Sequence, residues 1–341
     1  MTYYLLIYFS SLLFSVFIYD RHLRIMDNRI LACLFCGFLI MLAGLRYNIS
    51  TDYWSYYHQF YDPNGAERFE FLFKNILLFI REYFYSYNLF VFVIAFMALS
   101  IKGFYFSKLK NPFLAIFIYI CIYFFDSDFN IIRQGAGIGF VYFAIEEGRK
   151  KKIINYILLI LLASGFHVSY LILLPFYFFC TKKINFSLRK IILFIAILFI
   201  FRITFFNQLL RAIQLVLRNS GNPFISQIVL YLGVGDFHIN LSLLRRLFFV
   251  LLYLYLFGSK NLDIYFVLYF SSFLLSLLLT GNEMFLHRLS LCFDVFSVPL
   301  FASRKIVLNK KNMFGLFVFF ISLTILYFIP MRPVLPYQSY L

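Results

Sequence analysis

The sequence predicts an all-α integral membrane protein with about twelve transmembrane helices. Two observations support this class. The chain is 63% hydrophobic and only 13% charged, a balance that water-soluble globular proteins do not have. Its apolar runs are continuous rather than alternating, which favours helices over the strands of a transmembrane barrel. We expect the whole chain, residues 1–341, to form a single polytopic transmembrane domain.

The predicted spans follow the apolar runs, several of which are shorter than the roughly 20 residues that a spanning helix needs. These runs cover residues 3–19, 30–45, 87–106, 111–126, 131–145, 153–166, 168–180, 187–206, 241–257, 264–279, 288–303 and 313–329. Between them, segment 69–84 places its apolar residues at helical spacing beside a stripe of charged residues. This pattern predicts an amphipathic helix that lies in the membrane interface. Residues 207–240 form the longest outward connector.

Lysine and arginine predict the orientation of these helices. Six connectors carry 19 of the 31 basic residues, and an excess of positive charge marks the cytoplasmic side. Both termini then face outward, which is the periplasm in a Gram-negative host, together with loop elements 46–86 and 207–240. This topology accounts for the net charge of +16, so we expect no nucleic-acid partner.

The basic residues outside those connectors are eleven arginines and one lysine, whereas the cytoplasmic set has thirteen lysines and six arginines. The positive-inside effect treats the two residue types alike and does not explain this split. Arginine is preferred where a planar fork grips phosphate or carboxylate with two hydrogen bonds. We infer that the outward face handles a phosphate-bearing ligand. The alternative is that these arginines pair with acidic residues on the same side.

Several ionisable or polar residues collect at this outward face, where such groups are costly and indicate function by default. The candidates are Arg46, Asp52, Arg133, Gln134, His167, Arg245, Arg246 and Arg288. The alternative for the arginines is an interface anchor, for Asp52 a pairing with Arg46, and for His167 a structural role in a turn. Asp294 lies inside a predicted span, and we expect it to pair with an arginine from a neighbouring helix.

Aromatic residues are concentrated directly after Arg46. Tyr47, Tyr53 and Tyr56 belong to this cluster, and their rings can either stack on sugar faces or form an interfacial belt. The glycines after Arg133, in the stretch GAGIG, predict close helix packing. The alternative is that they leave backbone room for a lipid.

The motifs that the sequence lacks exclude several classes of enzyme. Asp126-Ser127-Asp128 matches the DxD pattern of metal-dependent glycosyltransferases, but no second cluster has metal-ligand spacing, so we expect no metal. The chain has no P-loop, no dinucleotide fingerprint and no GxSxG motif, which argues against soluble nucleotide donors and serine hydrolase chemistry. We expect no cofactor.

Five segments then share an order and spacing with one family. LRYNISTDYWSYY resembles the R-Y-x-x-G-x-D-Y-x-x-Y signature of the EpsG/Wzy-like polysaccharide polymerases. IIRQGAGIGFVYFA resembles the family's R-Q segment, ASGFHVSYLILLPFYF its F-H-x-S segment, and HRLSLCFDVFSVPL its arginine-led late span. The C-terminal VLPYQSYL resembles its closing P-Y tail. Ser50 departs from the pattern, because the family usually has glycine there.

The resemblance implies a multi-pass polymerase of O-antigen, and hence of lipopolysaccharide, or of a similar surface polysaccharide. It would lie in the bacterial inner membrane with a periplasmic active site. Repeat units on undecaprenyl diphosphate would serve as donor and acceptor, and the growing glycan would move to the non-reducing end of a new unit. Membrane lipids and a chain-length regulator protein are the other candidate partners.

On this hypothesis the transfer is metal-independent, and a set of residues binds the lipid-linked substrate. That set is Arg46, Tyr47, Tyr53, Tyr56, Arg133, Gln134, Arg245, Arg246 and Arg288. Asp52 and His167 are the candidate catalytic residues, since the acceptor hydroxyl needs a base.

Three other functions remain open from the sequence. They are an O-antigen ligase-like glycosyltransferase, a flippase for lipid-linked oligosaccharides, and a membrane acyltransferase built around His167. A flippase would show related halves and charges along a midplane cavity, and the sequence shows neither.

Overall fold

The computed structural model describes residues 8, 11–12, 25–182, 185, 188–218, 236–260, 262–304 and 310–328. Within these ranges all the regular elements are helices, which confirms the predicted all-α class. The first predicted span, 3–19, lies outside the described residues except for three positions. The chain divides into two compact units, one formed by Met1–Thr181 with Val298–Leu341 and the other by Lys182–Ser297.

The helices follow one another along the chain with short connections. In order they are α1 (Ile25–Gly44), α2 (Tyr53–Tyr61), a 3₁₀ turn (Gly65–Arg68), α3 (Phe71–Phe84), α4 (Tyr87–Phe106), α5 (Pro112–Tyr119) with a π-helical continuation (Ile120–Asp128), α6 (Ile132–Arg149), α7 (Ile153–Ser164), a 3₁₀ helix (Val168–Phe179), α8 (Leu188–Phe201), a π-helical stretch (Arg202–Phe206), α9 (Asn207–Arg218), α10 (Leu241–Phe257), α11 (Ile264–Leu279), α12 (Glu283–Asp294), α13 (Ser297–Ala302) and α14 (Lys310–Phe328).

Three described helices are long and apolar enough to cross a membrane: Tyr87–Phe106, Arg189–Val216 and Phe285–Ala302. Five shorter apolar helices of 10–17 residues accompany them. The Val168–Phe179 element has 12 residues in 3₁₀ conformation, and at a rise of about 2 Å per residue it extends roughly 24 Å, further than an α-helix of equal length. These features make the chain a helical membrane protein, while the count of twelve spans and their orientation stay predictions.

Amphipathic segment 69–84 is confirmed as a helix. Helix α3 buries Phe73, Leu77 and Ile80 along one face, which is the spacing expected of a helix packed on one side. It ends at Tyr85, whose φ of 48° is left-handed. Its location in the membrane interface stays a prediction.

Glycine in α6 permits close helix packing in the first unit. A Cβ on Gly135 would lie 2.0 Å from the carbonyl oxygen of Ser127, and one on Gly137 would lie 2.2 Å from the Tyr170 ring. A Cβ on Gly139 would lie 2.5 Å from the Ile101 side chain of α4. The predicted packing role of these glycines is therefore confirmed.

A fully buried ion pair joins α4 to the π-helical end of α5 in the first unit. Lys102 Nζ lies 2.5 Å from Asp128 Oδ1, and the two side chains are 0% and 1% exposed. Tyr119 accepts a hydrogen bond from Lys102 at 2.7 Å and donates one to Asp128 at 2.5 Å. Lys102 lies within the predicted span 87–106, although it was also counted among the basic residues of the connector that follows. Its burial in α4 shows that it belongs to the helix.

In the second unit, helical structure continues from α8 past the predicted end of its span. The apolar run was expected to end at 206, but residues 207–218 continue as helix α9 after the π-helical stretch. The assignment of residues 207–240 to an outward connector stays a prediction. Residues 219–235 of that connector lie outside the described part of the chain.

Replacing Lys102 by Met should lower the free energy of unfolding by about 3–5 kcal/mol, because Asp128 then stays buried without its cation. The double variant Lys102→Met/Asp128→Asn should recover most of this loss, since no charge remains buried. Denaturant or thermal unfolding in detergent measures both. The exposed Lys110→Met is the matched control, with a change within about 0.5 kcal/mol. A Lys102→Met variant as stable as this control would contradict the prediction.

Candidate functional site

Arg46 lies just past the end of α1, where the apolar run stops. Its side chain is buried, at 2% exposure. Nη1 donates to the carbonyl oxygen of Ala43, and the guanidinium carbon lies 5.2 Å from the centre of the Phe129 ring. A cation over an aromatic face is attracted by the ring quadrupole. Arg46 is therefore held between the end of α1 and the turn after the π-helix.

The loop that carries Asp52 is fixed to the same turn by Asn130. The side-chain oxygen of Asn130 accepts from Thr51 Oγ1 at 2.6 Å and from the Asp52 backbone N–H at 3.1 Å. Asp52 is the N-cap residue of α2 and is partly exposed. Ser50, which stands where the family usually has glycine, has a φ of 92°, a conformation that glycine adopts without strain.

Arg133 is the second residue of α6, three residues after Asn130. Its Nη1 donates to Glu70 Oε2 at 2.9 Å, and the two side chains are 21% and 19% exposed. The guanidinium carbon lies 5.0 Å from the centre of the Phe69 ring. Glu70 is a site residue that the sequence analysis left unassigned. Its only signal was a lone carboxylate directly before an apolar helix.

Glu70 also connects Arg133 to the turn that holds His167. Its second oxygen, Oε1, accepts from the Val168 backbone N–H at 3.3 Å. The first amides of α3 reinforce this link, because Leu72 and Phe73 both donate to the carbonyl oxygen of Gly165, at 2.8 and 3.2 Å. The start of α3 is thereby joined to the turn between α7 and the 3₁₀ helix.

Gln134 is buried, and its Nε2 donates to Ser169 Oγ at 3.4 Å. Ser169 Oγ lies 2.7 Å from His167 Nδ1, and Tyr170 donates to the carbonyl oxygen of Gln134 at 2.6 Å. Gln134 and His167, which are 33 residues apart in sequence, therefore belong to one hydrogen-bonded group. Ser169 is the second residue that the analysis missed, although it is the serine of the F-H-x-S segment.

The tyrosines after Arg46 differ in accessibility. Tyr53 and Tyr56 are 2% and 7% exposed and pack in the aromatic core of the first unit. Tyr47 and Trp54 are 42% and 44% exposed. Only an exposed ring offers a face for stacking, so Tyr47 and Trp54 are better placed for a sugar than Tyr53 and Tyr56.

The second unit holds the pair Arg245 and Arg246 on α10. Asp294 on α12 accepts from Arg246 Nε at 2.9 Å and Nη2 at 2.6 Å, and from Arg245 Nη2 at 2.5 Å. This confirms the predicted pairing of Asp294 with arginine. Three serines supply further partners for the Arg246 guanidinium: Ser242, Ser272 and Ser290.

Arg246 is 3% exposed and Arg245 is 16% exposed in its side chain, so Arg245 is the more accessible of the two. Arg288 lies on α12 and is partly buried. These three arginines belong to the second unit, whereas Arg46, Asp52, Arg133, Gln134 and His167 belong to the first.

The DxD segment does not present two accessible carboxylates. Asp128 is committed to Lys102 and Tyr119, and Asp126 is partly exposed. Among the described residues no group of three or more His, Cys, Asp or Glu side chains could hold a metal ion. In the first unit, contacts connect the end of α1 and the loop before α2 to the Phe129–Asn130 turn, and the start of α6 to the turn at His167. We define the polar groups along this path as the polar cluster: Arg46, Asp52, Glu70, Asn130, Arg133, Gln134, His167 and Ser169.

A double-mutant cycle on Glu70→Gln and Arg133→Gln should give a coupling of about 1 kcal/mol in unfolding free energy, because this pair is mostly shielded from solvent. Thermal unfolding in detergent provides the values. The control is the Glu67–Lys74 pair, at 2.7 Å with side chains 70% and 28% exposed, for which we expect no more than about 0.5 kcal/mol. A coupling no larger than that of the control would show that Glu70 does not hold Arg133.

Comparison with known proteins gives one positive result. No curated protein and no solved structure matches the chain. A family model described as the EpsG family matches residues 29–339, which is nearly the whole length and spans both units. The chain therefore belongs to the EpsG family.

Proposed function

We propose that this protein polymerises O-antigen or a similar surface polysaccharide, by transferring a growing glycan from undecaprenyl diphosphate to the non-reducing end of a new lipid-linked repeat unit. Membership of the EpsG family supports a polysaccharide polymerase in general. The lipid carrier, the direction of growth and the O-antigen product are our own inference.

One observation carries the proposal: the polar cluster joins two arginines to a carboxylate and an imidazole within a strongly apolar unit. Asn130 holds the Asp52 loop, Glu70 pairs with Arg133, and Ser169 contacts His167. Ionisable groups are costly in such surroundings and indicate a function. Positive charge beside proton-accepting groups is the combination that breaking a sugar–phosphate bond requires.

The two arginines would act on the leaving group. When the bond between the anomeric carbon and the phosphate oxygen breaks, the departing lipid diphosphate gains negative charge. Guanidinium groups that are already oriented stabilise that charge more in the transition state than in the bound substrate. Arg46 is fixed by Ala43 and Phe129, and Arg133 by Glu70, so both guanidinium groups are already oriented in the folded protein.

The remaining predicted residues receive supporting roles. Asp52 and His167 are the candidates for the group that removes the acceptor proton. Tyr47 would contact sugar, while Tyr53, Tyr56 and Gln134 shape the site from its buried side. Arg245, Arg246 and Arg288 of the second unit are proposed to bind lipid-linked substrate, with Arg245 the most accessible of the Asp294 pair.

We further propose that the protein lies in the bacterial inner membrane with this cluster on the periplasmic side, where lipid-linked repeat units are polymerised. Its lipid-linked substrates would reach it from the membrane, and membrane lipids would surround it. A chain-length regulator protein is the candidate protein partner.

Arg46→Ala and Arg133→Ala should each slow polymerisation about a hundredfold, which corresponds to roughly 3 kcal/mol of lost transition-state stabilisation. In a host lacking the gene, each variant should yield lipopolysaccharide with a single repeat where the wild-type protein yields a long ladder. Gel analysis of the lipopolysaccharide measures this.

The control variant is Arg149→Ala, which removes an exposed arginine from the other end of α6 and should leave the ladder intact. Full ladders from both Arg46→Ala and Arg133→Ala would show that these two arginines do not stabilise the leaving lipid diphosphate. In the gene deletion itself, bare core would indicate a ligase, and lipid-linked units stranded inside the cell would indicate a flippase.

Purified protein should polymerise synthetic lipid-linked repeat units equally well with and without a chelator. The physical reason is that Asp128, the second carboxylate of the DxD segment, is neutralised by Lys102. Product length on a sizing gel is the measurement. Loss of polymer in chelator with recovery on adding Mg²⁺ would contradict the metal-independent mechanism.

A further inference from the structure

His167 begins the 3₁₀ helix Val168–Phe179 as its N-cap residue, with extended backbone angles of φ −156° and ψ 119°. Its side chain turns back onto the helix start. There His167 Nδ1 accepts a hydrogen bond from the Ser169 backbone N–H at 3.4 Å. This is the bond that an N-cap side chain makes to an otherwise unsatisfied amide, and it requires a lone pair on the capping atom.

The Ser169 side chain supplies a second donor to the same nitrogen. Its Oγ lies 2.7 Å from His167 Nδ1. The same oxygen accepts from Gln134 Nε2 at 3.4 Å. A hydroxyl donates one hydrogen bond and can accept two, so the Ser169 hydroxyl can donate to Nδ1 while it accepts from Gln134. Because Nδ1 already accepts from the Ser169 backbone N–H, its lone pair faces Ser169, and the hydroxyl acts as donor in this contact.

The backbone N–H and the hydroxyl of Ser169 both face Nδ1, and this determines which ring nitrogen of the neutral imidazole is protonated. In a neutral imidazole one nitrogen donates and the other accepts, and the hydrogen bond of one fixes the role of the other. A proton on Nδ1 would point at the amide and the hydroxyl of Ser169. The neutral ring therefore carries its proton on Nε2.

We propose that His167 acts in the transfer reaction as a hydrogen-bond donor through Nε2–H, rather than as the general base, and that Ser169 is the positioning residue that fixes this tautomer. This inference rests on the proposed function. It also assigns the base, because of the two candidates only Asp52 then remains.

The reaction balances with these roles. The acceptor hydroxyl oxygen forms a bond to the anomeric carbon of the donor, and its proton passes to the Asp52 carboxylate. The bond from that carbon to the diphosphate oxygen breaks, and the lipid diphosphate leaves with the electron pair. Nε2–H of His167 donates a hydrogen bond to the departing phosphate oxygen, beside the charge supplied by the arginines.

Two substitutions of His167 separate donor from base. In His167→Gln the side-chain amide reaches the position of Nε2 and keeps a donor there, whereas in His167→Asn it reaches only the position of Nδ1. For a donor, we expect His167→Gln to stay within about tenfold of the wild-type rate, and His167→Asn to fall about a hundredfold. For a base, both variants would lose activity to the same extent, and that result would overturn the proposal.

Ser169 provides the second pair of variants. Ser169→Ala removes the hydroxyl donor and should slow transfer about tenfold, while Ser169→Thr keeps the hydroxyl and should restore most of the rate. The acid limb of the pH–rate profile should persist in His167→Gln, because it belongs to Asp52. A merely structural cap would leave the rate of Ser169→Ala unchanged at equal protein level, and that outcome would also overturn the proposal.

A spectroscopic measurement tests the tautomer without any turnover. The full chain, labelled with ¹⁵N-histidine and reconstituted in lipid nanodiscs, has five histidines, and the difference spectrum against His167→Gln assigns the ring of His167. We expect a protonated Nε2 and an unprotonated Nδ1, with the preference reduced in Ser169→Ala. A protonated Nδ1 would overturn this inference and leave the polymerase function standing. Failure of the wild-type protein to extend lipid-linked units would overturn the function and leave the tautomer standing.

Discussion

A charge inside an apolar helical body must be neutralised where it lies, and this constraint shapes both units of the protein. Leaving a buried ion without its partner costs several kcal/mol, so each buried charge fixes the register of the helix opposite. Lys102 and Asp128 do this between α4 and α5. In the second unit, Asp294 and Arg246 do the same between α12 and α10. The polar groups are few, but they set which faces of these helices meet.

The geometry of the polar cluster follows from the first of these pairs. The π-helical end of α5 terminates at Asp128, and the next residues form the turn that carries Asn130 and leads into Arg133. Since Asp128 is fixed, so is the start of that turn. Asn130 then holds the loop in front of α2. A stabilising ion pair and a functional region are thereby linked through a few residues of backbone.

Much of the fold could be predicted from the sequence, because hydropathy and helical spacing are local signals. The all-α class, the helix within 69–84, the packing glycines of α6 and the pairing of Asp294 with arginine are all confirmed. It was harder to predict whether a charged residue near the end of an apolar run belongs to the helix or to the connector. Lys102 was counted both with span 87–106 and with the connector after it, because a basic residue near the end of an apolar run fits either. Its partner Asp128 lies 26 residues away on a π-helical segment, and no local pattern predicts that contact.

The site was predictable in its charged members and not in the residues that connect them. Arg133 and His167 stood out because ionisable groups are rare in this chain. Glu70 pairs with Arg133 across 63 residues, and a single carboxylate before a helix gives no indication of that contact. Tyr53 was expected beside substrate, yet an aromatic-rich segment supplies both exposed rings and core, and the sequence does not separate them.

The buried pair of α4 and α5 also constrains how the chain enters the bilayer during synthesis. A lysine that enters hydrocarbon alone in one helix costs up to about 3 kcal/mol on insertion scales, and a lone aspartate costs a similar amount. The short segment 107–111 connects the two helices, so they leave the ribosome in quick succession. If both predicted spans, 87–106 and 111–126, cross the membrane, the smallest segment that can partition into lipid without an uncompensated charge is one that holds both Lys102 and Asp128, and not either helix alone.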